Sequence, residues 1–277
     1  MRFDDLVDGY VYSKRFDKLS VSTKEQRLIS LTHLKVHLSG YRIHEITRPM
    51  VIAIRDHHYD SPGRCKMMMA VLKSVMNYAF DNGWLEKLDA FAAISDMPKS
   101  TPIPRWSEPE ITSFLSTAPA HLRDVMMVAL YTGQRRSDLC KMDWNDYDGE
   151  IIRVVQQKTG KHVAIPVHPI LKMHLATMKR RRWGDRTPIL LNAYRAAWQP
   201  DSMRVAVKTH CRRIGLGEKQ LHGVRKTTAS ILAEIGCTPH QIAAITGHQS
   251  LKEVQRYTIE AEQKRMATEA IGKWRVQ

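Results

Sequence analysis

Six side chains in this sequence could do chemistry together. Between Leu221 and Thr258 stand a His-x-x-Arg pair (His222, Arg225), a Gly-His pair (Gly247, His248) and, nine residues after His248, Tyr257. Upstream are Arg135, in Thr132-Gly133-Gln134-Arg135-Arg136-Ser137-Asp138-Leu139, and Lys158, in Gln157-Lys158-Thr159-Gly160. A phenol is both a nucleophile and a fair leaving group. A guanidinium keeps its charge and can bind an oxyanion through two N–H groups at once. An imidazole gives or takes a proton near neutral pH. Such a set suits covalent transfer at an anionic centre, with the developing charge met by fixed cations.

Each residue also has an ordinary reading. Arg135 and its neighbour Arg136 could be solvated charges, and Lys158 a solubilising residue in a turn. His222 and His248 could cap helices. Arg225 could pair on the surface with Glu218 or Glu234, and Tyr257 could be a half-buried packing residue. Asp138 sits near a helix start, where an acid is favoured anyway. What outweighs these readings is the order of the set. Other tyrosines compete poorly: Tyr131 lies in a buried pattern, Tyr147 sits between Asp146 and Asp148, and Tyr194 has no motif around it. The pair His57-His58 has no Cys or carboxylate at metal-ligand spacing and reads as surface.

The elements that must position the set are mostly helical. Residues 1–20 read as a lead-in helix or tail. Ser22-Thr23-Lys24-Glu25 has the form of a capping box, followed by an apolar face of Leu28, Leu31, Leu34 and Leu38 and a stop at Gly40. A helix is expected near Thr47 with Pro49 in its first turn, and another from Ser61-Pro62 to Asn82-Gly83 with Met68, Leu72, Val75 and Ala79 as its core stripe. Residues 95–106 hold Pro98, Pro102 and Pro104 and read as an extended linker. A second capping box, Ser107 to Glu110, opens the next part. A helix over about 121–131 ends at Thr132-Gly133, and a short helix follows Arg135. Ile151–Val155 and His162–Pro166 read as two strands of a hairpin. Helices are expected at about 168–182, 201–214, 222–235, 238–246 and 250–257, with a separate last helix over 259–271. The expected fold is thus mainly α with a small β-hairpin, in two domains: a helical domain over 1–97, a Pro-rich linker over 98–106 and a mixed α+β domain over 107–277.

Composition narrows the class of partner. The 277 residues carry a net charge of +15. Residues 1–100 hold 15 Lys+Arg against 12 Asp+Glu, a net of +3, and the remainder holds 28 against 16, a net of +12. A surface this basic suits a polyanion, most often nucleic acid. No apolar run approaches the roughly 20 residues of a membrane span. The start, MRFDDLVDGY, is acidic and polar, unlike a secretory signal. Four scattered cysteines, Cys65, Cys140, Cys211 and Cys237, read as reduced thiols. The expected location is cytoplasmic, with the nucleoid.

The motifs at 132–139, 157–160, 222–225, 247–248 and 256–258 (Arg256-Tyr257-Thr258) resemble, in this order, the signature of the tyrosine recombinases, the phage-integrase family. His222 is followed here by Gly-Val where many members have Asp-Leu. The resemblance covers about 107–258, and the helical first part is similar to the family's core-DNA-binding domain. It implies that Tyr257 attacks a DNA phosphate and leaves a 3′-phosphotyrosine and a free 5′-hydroxyl. Arg135 and Arg225 would meet the phosphate charge. Lys158, or Lys161, would protonate the leaving oxygen. His222 and His248 would donate to the phosphate or shuttle the phenol proton, and Asp138 would orient an Arg or His. It further implies strand exchange through a Holliday junction in a homotetramer on two DNA duplexes, possible DNA-bending accessory proteins, and no cofactor, neither metal nor ATP. Basic residues at Lys179-Arg180-Arg181-Arg182, Lys208 and Arg212-Arg213 are candidate DNA contacts, and the helix at 202–214 a candidate groove reader. Met266, Ala270 and Ile271 would dock the last helix on a neighbouring protomer or on its own domain. Only about 20 residues precede the first clear helix, so either the protein has two domains or an arm-binding module precedes them.

Two other readings stay open. A type IB topoisomerase or a telomere-resolving enzyme would use the same nucleophile without joining two sites. A DNA-binding regulator would use 238–257 as a helix-turn-helix, with Ala243 and Gly247 near the turn, and would not need Tyr257.

Overall fold

The computed structural model describes residues 1–92, 94–181 and 187–274. The chain divides into two compact units, Met1–Pro102 and Ile103–Gln277, each with its own apolar core.

The first unit is helical: α1 (Phe3–Val11), α2 (Lys14–Asp17), α3 (Val21–Leu38), α4 (Arg48–His57) and α5 (Pro62–Asp81). Residues 1–20 are no tail. Phe3, Leu6 and Tyr10 of α1 are fully buried, and Phe16 of α2 packs edge-on against Tyr10. The start of α3 also departs from the expected capping box. Ser20, not Ser22, is the cap and accepts from the Thr23 amide. Both serines have a cap's chemistry, but capping at Ser20 allows one more half-turn of helix. Leu31, Leu34 and Leu38 then face the core while Leu28 is exposed. The stripe Met68, Leu72, Val75 and Ala79 of α5 is buried as expected, opposite α3.

The second unit comprises α6 (Glu108–Thr117), α7 (Ala120–Thr132), α8 (Arg136–Leu139), β1 (Ile151–Val155), β2 (His162–Pro166), α9 (Pro169–Arg180), α10 (Pro200–Arg213), α11 (Leu221–Glu234), α12 (Pro239–Thr246) and α13 (Leu251–Lys273). The strands pair antiparallel, Val154 opposite Val163 and Ile152 opposite Ile165, with these four side chains inward. Strict alternation is what a hairpin with one buried face requires.

One expectation fails here and another is sharpened. Residues 250–257 and 259–271 form a single helix, α13. Nothing between Thr258 and Ala261 breaks a helix, since that stretch has neither Gly nor Pro. And Ile103–Trp106 is not a free linker. Trp106 is buried, its amide donates to Thr227 Oγ1 (2.7 Å) and its indole N–H to the Gln220 carbonyl (2.9 Å). Lys226 Nζ donates to the Ile103 carbonyl (2.8 Å). Prolines set the extended path, and the side chains of α11 then strap that path down.

Among the described residues no helix is long and apolar enough to cross a membrane. The four cysteines are unpaired. Burial pushes the Cys140 and Cys211 thiols up to about 11, which keeps them protonated and unreactive.

Candidate active site

The site begins with the ends of two helices. α7 stops at Gly133, whose φ of 60° is the left-handed conformation that glycine adopts without strain. α12 stops in the same way at Gly247, φ 73°. A helix end leaves carbonyls without partners, and its dipole favours a cation. Arg225, on α11 between the two ends, supplies one. Its Nη1 donates to the Gly133 carbonyl (2.8 Å) and the Thr246 carbonyl (2.6 Å). The residue is 4% exposed, and its Nη2 is buried with no hydrogen-bond partner. Burial first, and then Arg135, lower its pKa to about 10, so the guanidinium stays charged at neutral pH.

α11 sits close to the Pro-rich strap. A Cβ on Gly223 would run into the Pro104 carbonyl oxygen and the Trp106 indole. This accounts for glycine after His222: only that residue lets the first turn of α11, which carries His222 and Arg225, press against the strap.

Arg135 caps α8. Its Nη1 donates to Gln156 Oε1 (2.7 Å) and lies 3.9 Å from Asp138 Oδ2. Asp138 is fully buried and accepts from the Gln157 amide at Oδ1 (2.8 Å). It therefore ties the start of α8 to the end of β1.

Gln156, which sequence reasoning missed, is the hub. It is fully buried. Its Oε1 accepts from Arg135, and its Nε2 donates to Gln134 Oε1 (2.7 Å) and to the Thr246 carbonyl (2.9 Å). A Cβ on Gly247 would overlap this amide. The Gly of Gly-His is thus needed twice, for its backbone conformation and for the space Gln156 fills. Gln134 completes the clamp by donating to the Ile245 carbonyl (2.8 Å).

His248 follows directly. The Thr246 hydroxyl donates to the Ile242 carbonyl (2.6 Å), so it accepts from His248 Nδ1 (2.7 Å). That assigns the ring proton to Nδ1 and leaves Nε2 as a base. Burial, then the nearby Arg225 and Arg135, lower the His248 pKa to about 4. His222 is exposed at its edge. Protein packed around its ring, and the cations Lys226, Arg225, Arg135 and Arg136, hold it below the ordinary imidazole value as well.

Tyr257 is half-buried on α13 and packs against the small cluster of Ala229, Ala233, Ile242, Ala243 and Val254. Lys158 is exposed at the hairpin turn. One concavity is lined by Arg135, Lys158, His222, Arg225, His248 and Tyr257 together, with Arg105, Lys226, Ser230, Glu253 and Arg256. Ser230, also missed from sequence, adds to the same lining a buried Oγ that, like Arg225 Nη2, has no hydrogen-bond partner. Both lie in a wall rich in positive charge, and both are donors able to receive an oxyanion.

The candidate DNA contacts lie elsewhere. Arg181 pairs with Asp124 (3.0 Å), and Lys208 and Arg212 share Glu218 (2.6 and 2.7 Å). Arg180 donates to Thr177 Oγ1 (3.3 Å). Three of the four are thus matched by a carboxylate within the chain, and none lines the concavity. Arg182 lies outside the described residues. α10, the expected groove reader, buries Met203, Val207, His210 and Cys211 on one side. The competing tyrosines are accounted for: Tyr131 stacks on His168, and the Tyr147 hydroxyl donates to the Gly149 carbonyl.

The fold is similar to that of a lambda integrase dimer bound to a COC′ core site, with a TM-score of 0.81 at 21% identity, covering 91% of this chain and 96% of that one. It is similar to the Tn1549 transposon integrase in complex with transposon right-end DNA, with a TM-score of 0.82 at 17% identity, covering 96% and 100%. In sequence, the chain is 25% identical over 173 residues to the integrase of Escherichia phage lambda, across 59% of this chain and 49% of that protein. It is 23% identical over 233 residues to tyrosine recombinase XerC of Roseiflexus sp. (strain RS-1), across 78% and 74%. The chain spans about half the length of the phage lambda relative it matches. Residues 107–264, more than half of the sequence and the whole wall of the concavity except Arg105, match the phage integrase family, and the chain belongs to that family.

Proposed function

We propose that this protein is a site-specific DNA recombinase that cuts and rejoins DNA through a 3′-phosphotyrosyl intermediate. The observation that carries this reading is the gathering of Arg135, Lys158, His222, Arg225, His248 and Tyr257 around one concavity. In the proposed step, Tyr257 Oη forms a bond to phosphorus while the bond from phosphorus to the 5′-oxygen breaks. The phenol proton passes to His248 Nε2, whose partner Nδ1–H is already held by Thr246. Arg225, through Nη2, and Arg135 take the charge on the non-bridging oxygens. His222 donates to the same oxygens. Lys158, with Lys161 as the alternative, gives the departing 5′-oxygen its proton. Attack of a 5′-hydroxyl on the phosphotyrosine reverses the sequence and releases Tyr257. Guanidinium groups carry the charge and imidazole and ammonium the protons, so the step asks for neither metal nor nucleotide.

The units divide the work in this reading. Residues 1–102 form a core-DNA-binding domain and 103–277 the catalytic domain, and each contacts duplex DNA, in the cytoplasm at the nucleoid. Affinity comes largely from Lys and Arg on phosphates and falls with salt. Arg180 stays a backbone contact. Arg181, Lys208 and Arg212 join only after leaving their carboxylates. Strand exchange uses a homotetramer on two duplexes through a Holliday junction. A solved lambda integrase is a tetramer bound to a Holliday junction. Support on this chain comes from the outer half of α13 and the residue that follows it, where Met266, Ile271 and Trp274 are 57%, 66% and 76% exposed. Such a row of apolar side chains favours a partner over packing on its own unit, and it favours strand exchange over topoisomerase action.

The test uses supercoiled DNA bearing candidate sites, in EDTA, stopped with SDS. A covalent protein–DNA adduct that Tyr257→Phe abolishes is the expected result. Reversible binding without an adduct on nicked sites would favour the regulator. Adduct and relaxation without joint molecules would favour the topoisomerase.

A further inference from the structure

The first unit holds a second cluster of chemistry-bearing side chains. α3 presents His33 and His37, one turn apart on the same face, and His57 and His58 end α4. Their rings crowd together: 4.8 Å between the centroids of His57 and His58, 5.1 Å between His37 and His57, 5.3 Å between His37 and His58, and 6.2 Å between His33 and His58. Helix packing alone does not ask for this. The pair His57-His58, read as surface for want of a Cys or carboxylate at metal-ligand spacing, is exposed at His57 but meets a third histidine. Its partner, His37, comes from twenty residues earlier and was invisible to spacing.

We propose that His37, His57 and His58 form a binding site for a borderline divalent transition ion of the Zn²⁺ class. One ring nitrogen from each lies within 4.8 Å of one from each of the others. His37 Nε2 and His58 Nε2 are 3.2 Å apart. Zinc–imidazole bonds of about 2.0–2.1 Å at a tetrahedral angle put neighbouring nitrogens roughly 3.3 Å apart, so this pair already spans one edge of the polyhedron. His57 is exposed and is free to swing its ring the remaining distance. Water can complete the coordination, while the His33 ring lies farther off, 6.2 Å from that of His58 between centroids. Imidazoles without thiolates select Zn²⁺, Ni²⁺ or Cu²⁺ over Mg²⁺ and Ca²⁺. The ion would join the end of α3 to the end of α4. It is separate from the transfer chemistry of the second unit and would brace the first.

The experiment is a titration of the untagged, full chain with ZnCl₂, followed by calorimetry and by metal analysis after dialysis. One equivalent of Zn²⁺ per chain and a higher melting temperature with Zn²⁺ are expected. His37→Gln and His58→Gln should each weaken binding at least about tenfold and remove the thermal shift. A wild-type measurement guards against misfolded variants: Zn²⁺ should shift the ¹⁵N imidazole resonances of His37, His57 and His58 and leave those of His222 and His248 in place. Less than one equivalent bound, binding untouched by both substitutions, or shifts confined to other histidines would each overturn the proposal.

Discussion

The scaffold that holds the cations and the helix that carries the phenol are built in opposite ways. Arg225, Gln156 and the Thr246 carbonyl are buried and cross-linked: Thr246 O alone accepts from Arg225 and from Gln156. α13 touches α11 and α12 through Val254, Tyr257 and Ala261, and beyond them its surface is exposed. Charge stabilisation depends on donors that do not reorganise. A nucleophile must instead approach the phosphate, bond to it and leave. The contrast assigns a cross-linked interior to the first task and a helix docked along only its first half to the second.

The largest effects would come from splitting the two. Tyr257→Phe should abolish the phosphotyrosyl adduct and leave the melting temperature within a degree or two. Arg225→Ala should also abolish it, and should cost about 1–3 kcal/mol of stability, because the Gly133 and Thr246 carbonyls lose a buried donor. Equal melting temperatures for the two variants would mean that the arginine is not part of the scaffold. Next comes Gln156→Leu, which keeps the volume but frees Arg135. Cleavage of a nicked site should slow roughly 100-fold while DNA affinity changes little, since a misplaced donor acts on the transition state. A parallel loss of affinity would place Gln156 in binding instead.

Gly247→Ala is expected to lower stability by ~2 kcal/mol in denaturant unfolding, from a positive φ and from overlap with Gln156. A neutral result would show that the amide can withdraw. His248 sharpens the comparison in pH. Its folded pKa, about 4, lies below the ordinary imidazole value near 6.5. The unfolded chain therefore takes up the proton first, and stability contributed by this residue is lost as pH falls from about 6.5 to about 4. Above that window the ring is neutral, so adduct formation between pH 8 and pH 6 should show no inflection that His248→Gln removes. The smallest effect on chemistry is expected from Met266→Asp with Ile271→Asp. Adduct on a nicked site should stay within about twofold while joint molecules disappear.

Much of this was legible in the sequence where the signal is local. The hairpin strands run as alternation predicts, and Gly133 and Gly247 mark helix ends as Gly after an apolar helix should. Six of the eleven residues that line the concavity were singled out by type and order. Gln156 was not, although Gln157 beside it was singled out. Its partners Arg135, Gln134 and Thr246 are 21, 22 and 90 residues away, and a glutamine just past the end of a strand looks like any polar residue. His37 escaped for the same reason. Ser20 and Ser22 failed differently: both are competent caps, and only burial of Leu31, Leu34 and Leu38 chooses between them. The basic runs showed their charge but not its neighbours in the fold, and Glu218 takes up both Lys208 and Arg212.

α13 has one more consequence. Because Leu251–Lys273 is unbroken, Tyr257 cannot advance without its helix. From Tyr257 to Ile271 the axis runs ~21 Å at 1.5 Å per residue. Whatever seizes the far end holds a lever on the phenol: pulling it along the axis or turning it moves Tyr257 by a related amount. In the proposed reaction, timing of the cut is then a mechanical matter, set by a grip made well outside the reach of the phosphate.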